Sequence, residues 1–289
     1  MTCEKLIIGT AQFGSDYGVA NQRGKVACHE VERILDKAQS VGCRYLDTAA
    51  IYGDAEKLLG DIGVGDWNII SKVNVPRQVD CIAGKFLQDA VEKSLDRLKV
   101  NKLFSILIHN TQELNEEAVS WVLRQGEELK DKGLVDTIGL SVYSNDFPKI
   151  ERMGELVSII QAPFNPFDHR IKASKLNSPY HKFEFHARSI FLQGLLLLQS
   201  TQRPSYFNKW SKELLEWDAL VSQSSYSAQA ICLNHALSAD FISKVVVGVD
   251  GFDQFEELLT YHELFKDCVG CSFVSEELGL IDPFRWHQQ

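Results

Sequence analysis

The chain has 289 residues, of which 45% are hydrophobic and 24% charged, and it carries a formal net charge of −9. That composition is ordinary for a soluble globular protein, and the length suits one large α/β barrel or two small domains. The negative balance excludes nucleic acid or an anionic membrane surface as the main partner, since both need a positive field, while leaving room for a local basic pocket.

The start, "MTCEKLIIGTAQFG", lacks the basic opening and long apolar stretch of a signal peptide. The longest apolar runs, such as Leu195–Leu198, fall far short of the ~18 residues of a membrane span. Seven scattered cysteines, an odd number, point to free thiols in a reducing cytoplasm. Cys268 and Cys271 form a CxxC with no second ligand pair, and are read as two thiols without a metal or redox role.

In chain order, eight short apolar runs read as strands: 5–10, 44–48, 68–73, 104–109, 136–142, 157–163, 183–189 and 244–249. They are continuously apolar rather than alternating, the mark of parallel strands buried on both faces. Helical patterns lie between them. Val31, Ile34, Leu35, Ala38 and Val41 recur at three- and four-residue steps before Gly42, and Leu87, Ala90, Val91, Leu95 and Leu98 do the same. Asn115 is placed to cap a helix that closes at Gly133. Further helices are expected after Asp54, Asp146, Asn165, Ala228 and Asp250, with Asp54 as the cap of the helix carrying Leu58, Leu59 and Ile62. The stretch 199–224 exceeds a usual loop and reads as a helical insertion between the seventh and eighth strands. Eight strands alternating with helices predict a single (β/α)8 barrel domain over 1–289. The doubly wound alternative would show a GxGxxG turn after an early strand, and none is present.

In such a barrel the active site lies at the C-terminal ends of the strands. The second run ends at Asp47, with Tyr52 in the loop after it; the third ends near Lys72 and the fourth at His109. Singly, each is most simply a cap, a loop aromatic, a solvated charge or a satisfied polar group. Together they form a proton-transfer set. A phenol, with a pKa near ~10, is a poor acid at neutral pH, and a nearby ammonium lowers that value. A carboxylate holds the lysine charged, and a histidine orients a carbonyl oxygen. None of the four can supply hydride, so the set calls for a nicotinamide cofactor. No HxH or similar cluster marks a metal-dependent hydrolase.

At these residues the sequence resembles the aldo-keto reductases, over nearly its whole length. "LDTAAIYGDAEKLLG" (46–60) is similar to that family's signature around its catalytic Asp and Tyr, "IISKV" carries the matching Lys and "SILIHN" the matching His. The resemblance implies Asp47, Tyr52, Lys72 and His109 as the catalytic tetrad. It also implies cofactor contacts: Gly9 and Thr10 in "IGTAQFG"; Ser141 and Gln161 toward the carboxamide; Arg188, Ser189, Phe191 and Gly194 in "ARSIFLQGLL"; and Gly248, Val249, Asp250, Gln254 and Glu257 at the adenosine end. Val142 and Arg188 depart from the family pattern, standing where many relatives have an Asn and a stacking aromatic. A planar guanidinium can also stack. Gly248 and Gln254 replace the cations that often hold the 2′-phosphate of NADP(H), and Asp250 would oppose one. The family habit tips the expectation slightly to NADP(H), while the local residues argue the other way, toward NAD(H).

Tyr17, in the Gly-rich segment 11–25, is a candidate wall of the substrate pocket, and Asp168, His169 and Arg170 are read as structural. The loop pattern resembles reductases found near bacterial surface-polysaccharide pathways, which implies a sugar-derived carbonyl or alcohol substrate. The expectation is a cytoplasmic NAD(P)(H)-dependent oxidoreductase with a small-molecule substrate. The alternative is a nicotinamide-binding regulatory protein with little turnover. Oligomeric state is not legible in the sequence.

Overall fold

The computed structural model describes residues 3–77, 85–143, 146–151, 156–173, 183–262 and 273–286. Cys268 and Cys271 lie outside the described residues. Eight parallel strands close into a barrel in chain order: β1 (Leu6–Gly9), β2 (Tyr45–Asp47), β3 (Asn68–Val73), β4 (Leu103–Ile108), β5 (Val135–Ser141), β6 (Ile159–Pro163), β7 (Glu184–Arg188) and β8 (Lys244–Gly248). Each falls within about two residues of its predicted run. β1 pairs with both β2 and β8, so no edge is left open.

Alternation along the strands sets the interior. Ile7, Ile70, Leu107 and Ile159 form one buried cluster inside the barrel, with Tyr45, Phe104 and Val246 packed against it. Side chains two residues apart share a face of a strand. The next inward layer toward the C-terminal mouth is therefore Gly9, Asp47, Lys72, His109, Gln161 and Gly248, two residues beyond Ile7, Tyr45, Ile70, Leu107, Ile159 and Val246. An apolar plug thus supports a polar layer of predicted site residues.

Outside the barrel, α2 (Cys28–Ser40) and α4 (Phe86–Leu98) bury most of their predicted apolar stripes, and α5 (Glu116–Asp131) buries Val119, Val122, Leu123 and Leu129. Asn115 caps α5, accepting from the Ala118 amide at 2.8 Å. Asp54 departs from its predicted role. It precedes α3 (Ala55–Ile62) but makes no side-chain cap bond. Its carboxylate is taken by Lys25 at 2.5 and 2.6 Å, which draws its pKa down. A cation from a distant loop has displaced the local backbone partner.

The insertion between β7 and β8 is helical, as expected. It holds short 3₁₀ turns, Ser211–Gln223 (α8) and Ala228–Leu237 (α9). Trp217 anchors it, 1% exposed, its indole N–H donating to the Leu196 carbonyl at 3.0 Å. Asp168 and Arg170 pair with one another at 2.6 Å. Among the described residues no helix is long and apolar enough to cross a membrane.

Candidate active site

Asp47 and Lys72 lie on strands and His109 directly follows one, whereas Tyr52 stands five residues beyond β2, and glycine places it. Its turn folds back so that the Tyr52 amide donates to the Ala49 carbonyl at 3.0 Å. The turn lies directly on α1 (Ala11–Gly14): a Cβ on Gly14 would stand 1.7 Å from the Tyr52 carbonyl oxygen. Gly53, at φ 55°, approaches Gly14 as closely from the other side. Tyr52 is thereby turned inward over the barrel mouth.

There it meets the polar layer. Lys72 Nζ is in direct contact with Asp47 Oδ2, donates to the Thr48 carbonyl at 3.1 Å, and lies 3.4 Å from the Tyr52 hydroxyl. The other oxygen of Asp47 accepts from Gln161 Nε2 at 2.7 Å. The Lys72 and Asp47 side chains are 1% and 5% exposed, so this is a buried ion pair whose attraction offsets a large desolvation cost. The His109 imidazole stands edge-on to the Tyr52 ring, centroids 5.9 Å apart.

Burial dominates the electrostatics. It drives the Lys72 pKa down, with the Asp47 charge opposing. It pushes the Tyr52 phenol up, reinforced by Asp47 and opposed by Arg188. The expectation that an ammonium would lower the phenol pKa is not met in this geometry, because desolvation outweighs an ammonium already paired with a carboxylate. Burial, with Lys72 and Arg188, pushes His109 down to about 3. At neutral pH the site therefore holds a protonated phenol and a neutral imidazole.

These groups close one end of a cavity of about 740 Å³, a size that suits a small-molecule or cofactor site. All four tetrad residues border it, as do Gly9, Thr10, Gln161, Arg188, Ser189, Phe191 and Gly194. Gly248, Asp250, Gln254, Glu257 and Tyr17 border it as well. Two predicted contacts do not border it. Ser141 is buried, its carbonyl accepting from Thr111 Oγ1 at 2.9 Å, and Val249 belongs to the apolar core.

The structure adds residues that sequence reading missed. Gln12 approaches Gly248 so closely that a Cβ there would lie 2.7 Å from its Oε1. Arg23 pairs with Asp253 through two bonds of 2.7 and 2.8 Å, tying the first βα loop to the start of α10 (Phe252–His262). The same loop reaches the segment after β7, where Val19 N donates to the Gln193 carbonyl at 3.0 Å and Gln193 Nε2 to the Tyr17 hydroxyl at 3.1 Å. The loop thus bridges the cavity as well as lining it. That segment holds strained backbone: Ser189, Leu192 and Gln193 all have φ near 50°. Each costs of order 1–2 kcal/mol, the kind of strain that clusters at functional sites. The burial of Asp250 raises its pKa, with Gln12 and Arg23 opposing; its backbone amide donates to Gln254 Oε1 at 2.7 Å. Tyr143 and Phe284 also border the cavity. Gln12 and Tyr143 each lie within three residues beyond a strand end, so the strand-end rule could have found them. Arg23 and Phe284 carry no such signal.

Among the described residues no group of three or more His, Cys, Asp or Glu is placed to hold a metal ion. The cavity does fit an elongated dinucleotide. Its lining presents buried polar groups around Tyr52, including a Gln161 Oε1 with no hydrogen-bond partner, together with Gly248 and the opening of α10.

Comparison with known proteins agrees with this architecture. The family model described as Aldo/keto reductase family matches residues 5–267. The chain is 25% identical over 245 residues to the oxidoreductase YqkF of Bacillus subtilis, covering 78% of this chain and 79% of that protein. It is 23% identical over 265 residues to D-arabinose 1-dehydrogenase of Saccharomyces cerevisiae, covering 82% and 77%. In structure it is similar to the aldo-keto reductase AKR11C1 from Bacillus halodurans in its holo form, with a TM-score of 0.73, 18% identity and 94% of each chain covered.

Proposed function

Because the chain belongs to the aldo/keto reductase family and is an oxidoreductase, we propose that it interconverts a small carbonyl compound and an alcohol with a nicotinamide dinucleotide, using Tyr52 as the proton donor. The observation that carries this reading is the convergence of Tyr52, Lys72, Asp47 and His109 at the closed end of one cavity.

When bound, reduced nicotinamide supplies the hydride, which none of the four side chains can do. The chain's residues do the rest. The substrate carbonyl oxygen sits within hydrogen-bond reach of the Tyr52 hydroxyl and the His109 imidazole. Tyr52, protonated at neutral pH, delivers its proton to that oxygen as hydride arrives at carbon. The phenolate left behind is stabilised by Lys72, whose charge Asp47 maintains. In oxidation the same phenolate takes the proton back. His109, kept neutral by burial, offers an N–H without adding charge. Gln161 and Ser189 would hold the nicotinamide end, Phe191 and Gly194 the middle, and Gly248, Asp250, Gln254 and Glu257 the adenosine end.

The sugar substrate of the yeast relative supports a polyhydroxylated substrate as one candidate class. We place the enzyme in the cytoplasm, a reading that the odd number of scattered cysteines supports. Rapid mixing with one equivalent of reduced nicotinamide nucleotide and a reactive aldehyde tests the function. Loss of reduced-nicotinamide absorbance, with alcohol formed in equal amount, is the expected result. Tight nucleotide binding with no such loss would instead favour a nicotinamide-sensing protein.

A further inference from the structure

We propose that the substrate carries a carboxylate and that Arg188 is the residue that binds it. The substrate identity rests on the oxidoreductase reading above; the anion site itself does not require turnover.

Most charges around Tyr52 are cancelled or absent. Asp47 and Lys72 cancel as a contact pair. His109 is neutral, burial holds the Tyr52 phenol protonated, and the exposed phenol of Tyr17 is protonated at neutral pH as well. Arg188 remains. It closes β7 and borders the same cavity, and no ion pair among the described residues includes it. It lines the same cavity as Tyr52, Lys72 and His109, and its charge acts on all three.

The guanidinium is also held in a fixed pose. Nη2 donates to the Val142 carbonyl at 3.2 Å, and its plane lies over the Tyr143 ring with Cζ 4.3 Å from the centroid. Tyr143 is braced edge-on by Phe284 at 5.0 Å. The Nε hydrogen is buried and has no partner. A guanidinium offers five donors in a fork that matches a carboxylate; here Nη2 is directed to the Val142 carbonyl and a further side-chain contact goes to Tyr143, which leaves donors, the Nε hydrogen among them, for a ligand. A half-buried cation without a counter-charge is costly. An anion arriving with the substrate removes that cost and gains a charge-assisted, two-point contact. Tyr17 adds a hydroxyl donor on the same wall, since its oxygen accepts from Gln193 and its own hydrogen is left over.

The competing role for Arg188 is stacking on nicotinamide, which would affect every substrate alike. The test compares 3- and 4-carboxybenzaldehyde with their carbamoyl counterparts, equal in shape and neutral. It uses the wild-type protein, Arg188→Gln and Arg188→Lys, each checked by thermal melting. Wild type is expected to favour the carboxylates by roughly tenfold or more in kcat/KM, the size of one charge-assisted contact. Arg188→Gln should erase that ratio, and Arg188→Lys should keep part of it. In parallel, binding of benzoate against benzamide is followed by intrinsic fluorescence, with and without reduced nucleotide. Equal kcat/KM for charged and neutral aldehydes in wild type overturns the proposal. So does an equal loss of both in Arg188→Gln, or exclusion of benzoate by the nucleotide. Benzoate bound through Arg188 with no aldehyde turned over would uphold the anion site and overturn the oxidoreductase reading. Turnover without carboxylate preference would do the reverse.

Discussion

Replacing Asp47 with Asn probes the buried ion pair on which the site is built. The substitution keeps an acceptor for Gln161 Nε2, now 2.7 Å from Asp47 Oδ1, and removes only the charge opposite Lys72. Removing one partner of a buried pair costs about 3–5 kcal/mol. For a chain of this size each kcal/mol lowers the melting temperature by roughly 2–4 °C, so the expected fall is roughly 6–20 °C near pH 6. The loss should shrink with rising pH. Burial already depresses the Lys72 pKa and Asp47 opposes that depression. Without Asp47 the folded-state value drops further below the unfolded one, about 10.4. Between those two values the unfolded chain binds more protons than the folded chain, so stability rises with pH. Melting curves by circular dichroism near pH 6 and pH 9 measure both effects. The double variant Asp47→Asn/Lys72→Met should regain much of the stability while remaining inactive, because no unpaired charge is left to bury. A single variant that melts within about 2 °C of wild type near pH 6, or a deficit that grows with pH, would refute this account of the pair.

Three further outcomes are expected. His235 stacks on Phe164 and His169, each at 4.8 Å, and its pKa is pushed down to about 4 by burial first and His169 next. Its neutral form is the folded form, so its contribution is complete above about pH 6.5 and is lost as pH falls toward about 4. His235→Phe should flatten the melting temperature over that window, and an unchanged slope would contradict the assignment. Gly139→Ala would put a Cβ 2.3 Å from the Ile159 carbonyl oxygen and 2.7 Å from Leu107 Cδ2, inside the closed barrel. A loss of at least about 1–3 kcal/mol in urea unfolding is expected, and a neutral result would show that β5 and β6 can part. At the adenosine end Asp250 and Glu257 face the cavity, and the Arg23 charge is taken by Asp253. Fluorescence titration should therefore show NADP(H) binding no more tightly than NAD(H), and a tenfold advantage for NADP(H) would overturn that charge argument.

Much of this architecture can be read from local sequence. Continuous apolar runs located every strand, and a period of two carried Ile70 to Lys72 and Leu107 to His109, so the polar layer followed once the barrel was recognised. What the sequence hides is partnership over distance. Asp54 looked like a helix cap until Lys25, 29 residues away, took its carboxylate. Arg23 and Asp253 are 230 positions apart, and Gln161 reaches Asp47 across 114. Arg188 stood out only as a departure from a family pattern. Its fixed pose on Tyr143 and its missing counter-charge needed coordinates. The upward shift of the Tyr52 phenol was hidden for a related reason: motif spacing reports which charges are neighbours, but not how much water they have lost.

The central claim is that Tyr52 moves the proton, and its most direct test is the single-turnover rate of Tyr52→Phe against wild type with one aldehyde and saturating reduced nucleotide. The substitution removes one hydroxyl from a cavity wall, so melting temperature and nucleotide affinity should be unchanged. The rate of nucleotide oxidation should fall by about 10²–10⁴, the usual contribution of a positioned general acid. A variant that binds nucleotide normally and oxidises it at close to the wild-type rate would show that the proton comes from elsewhere.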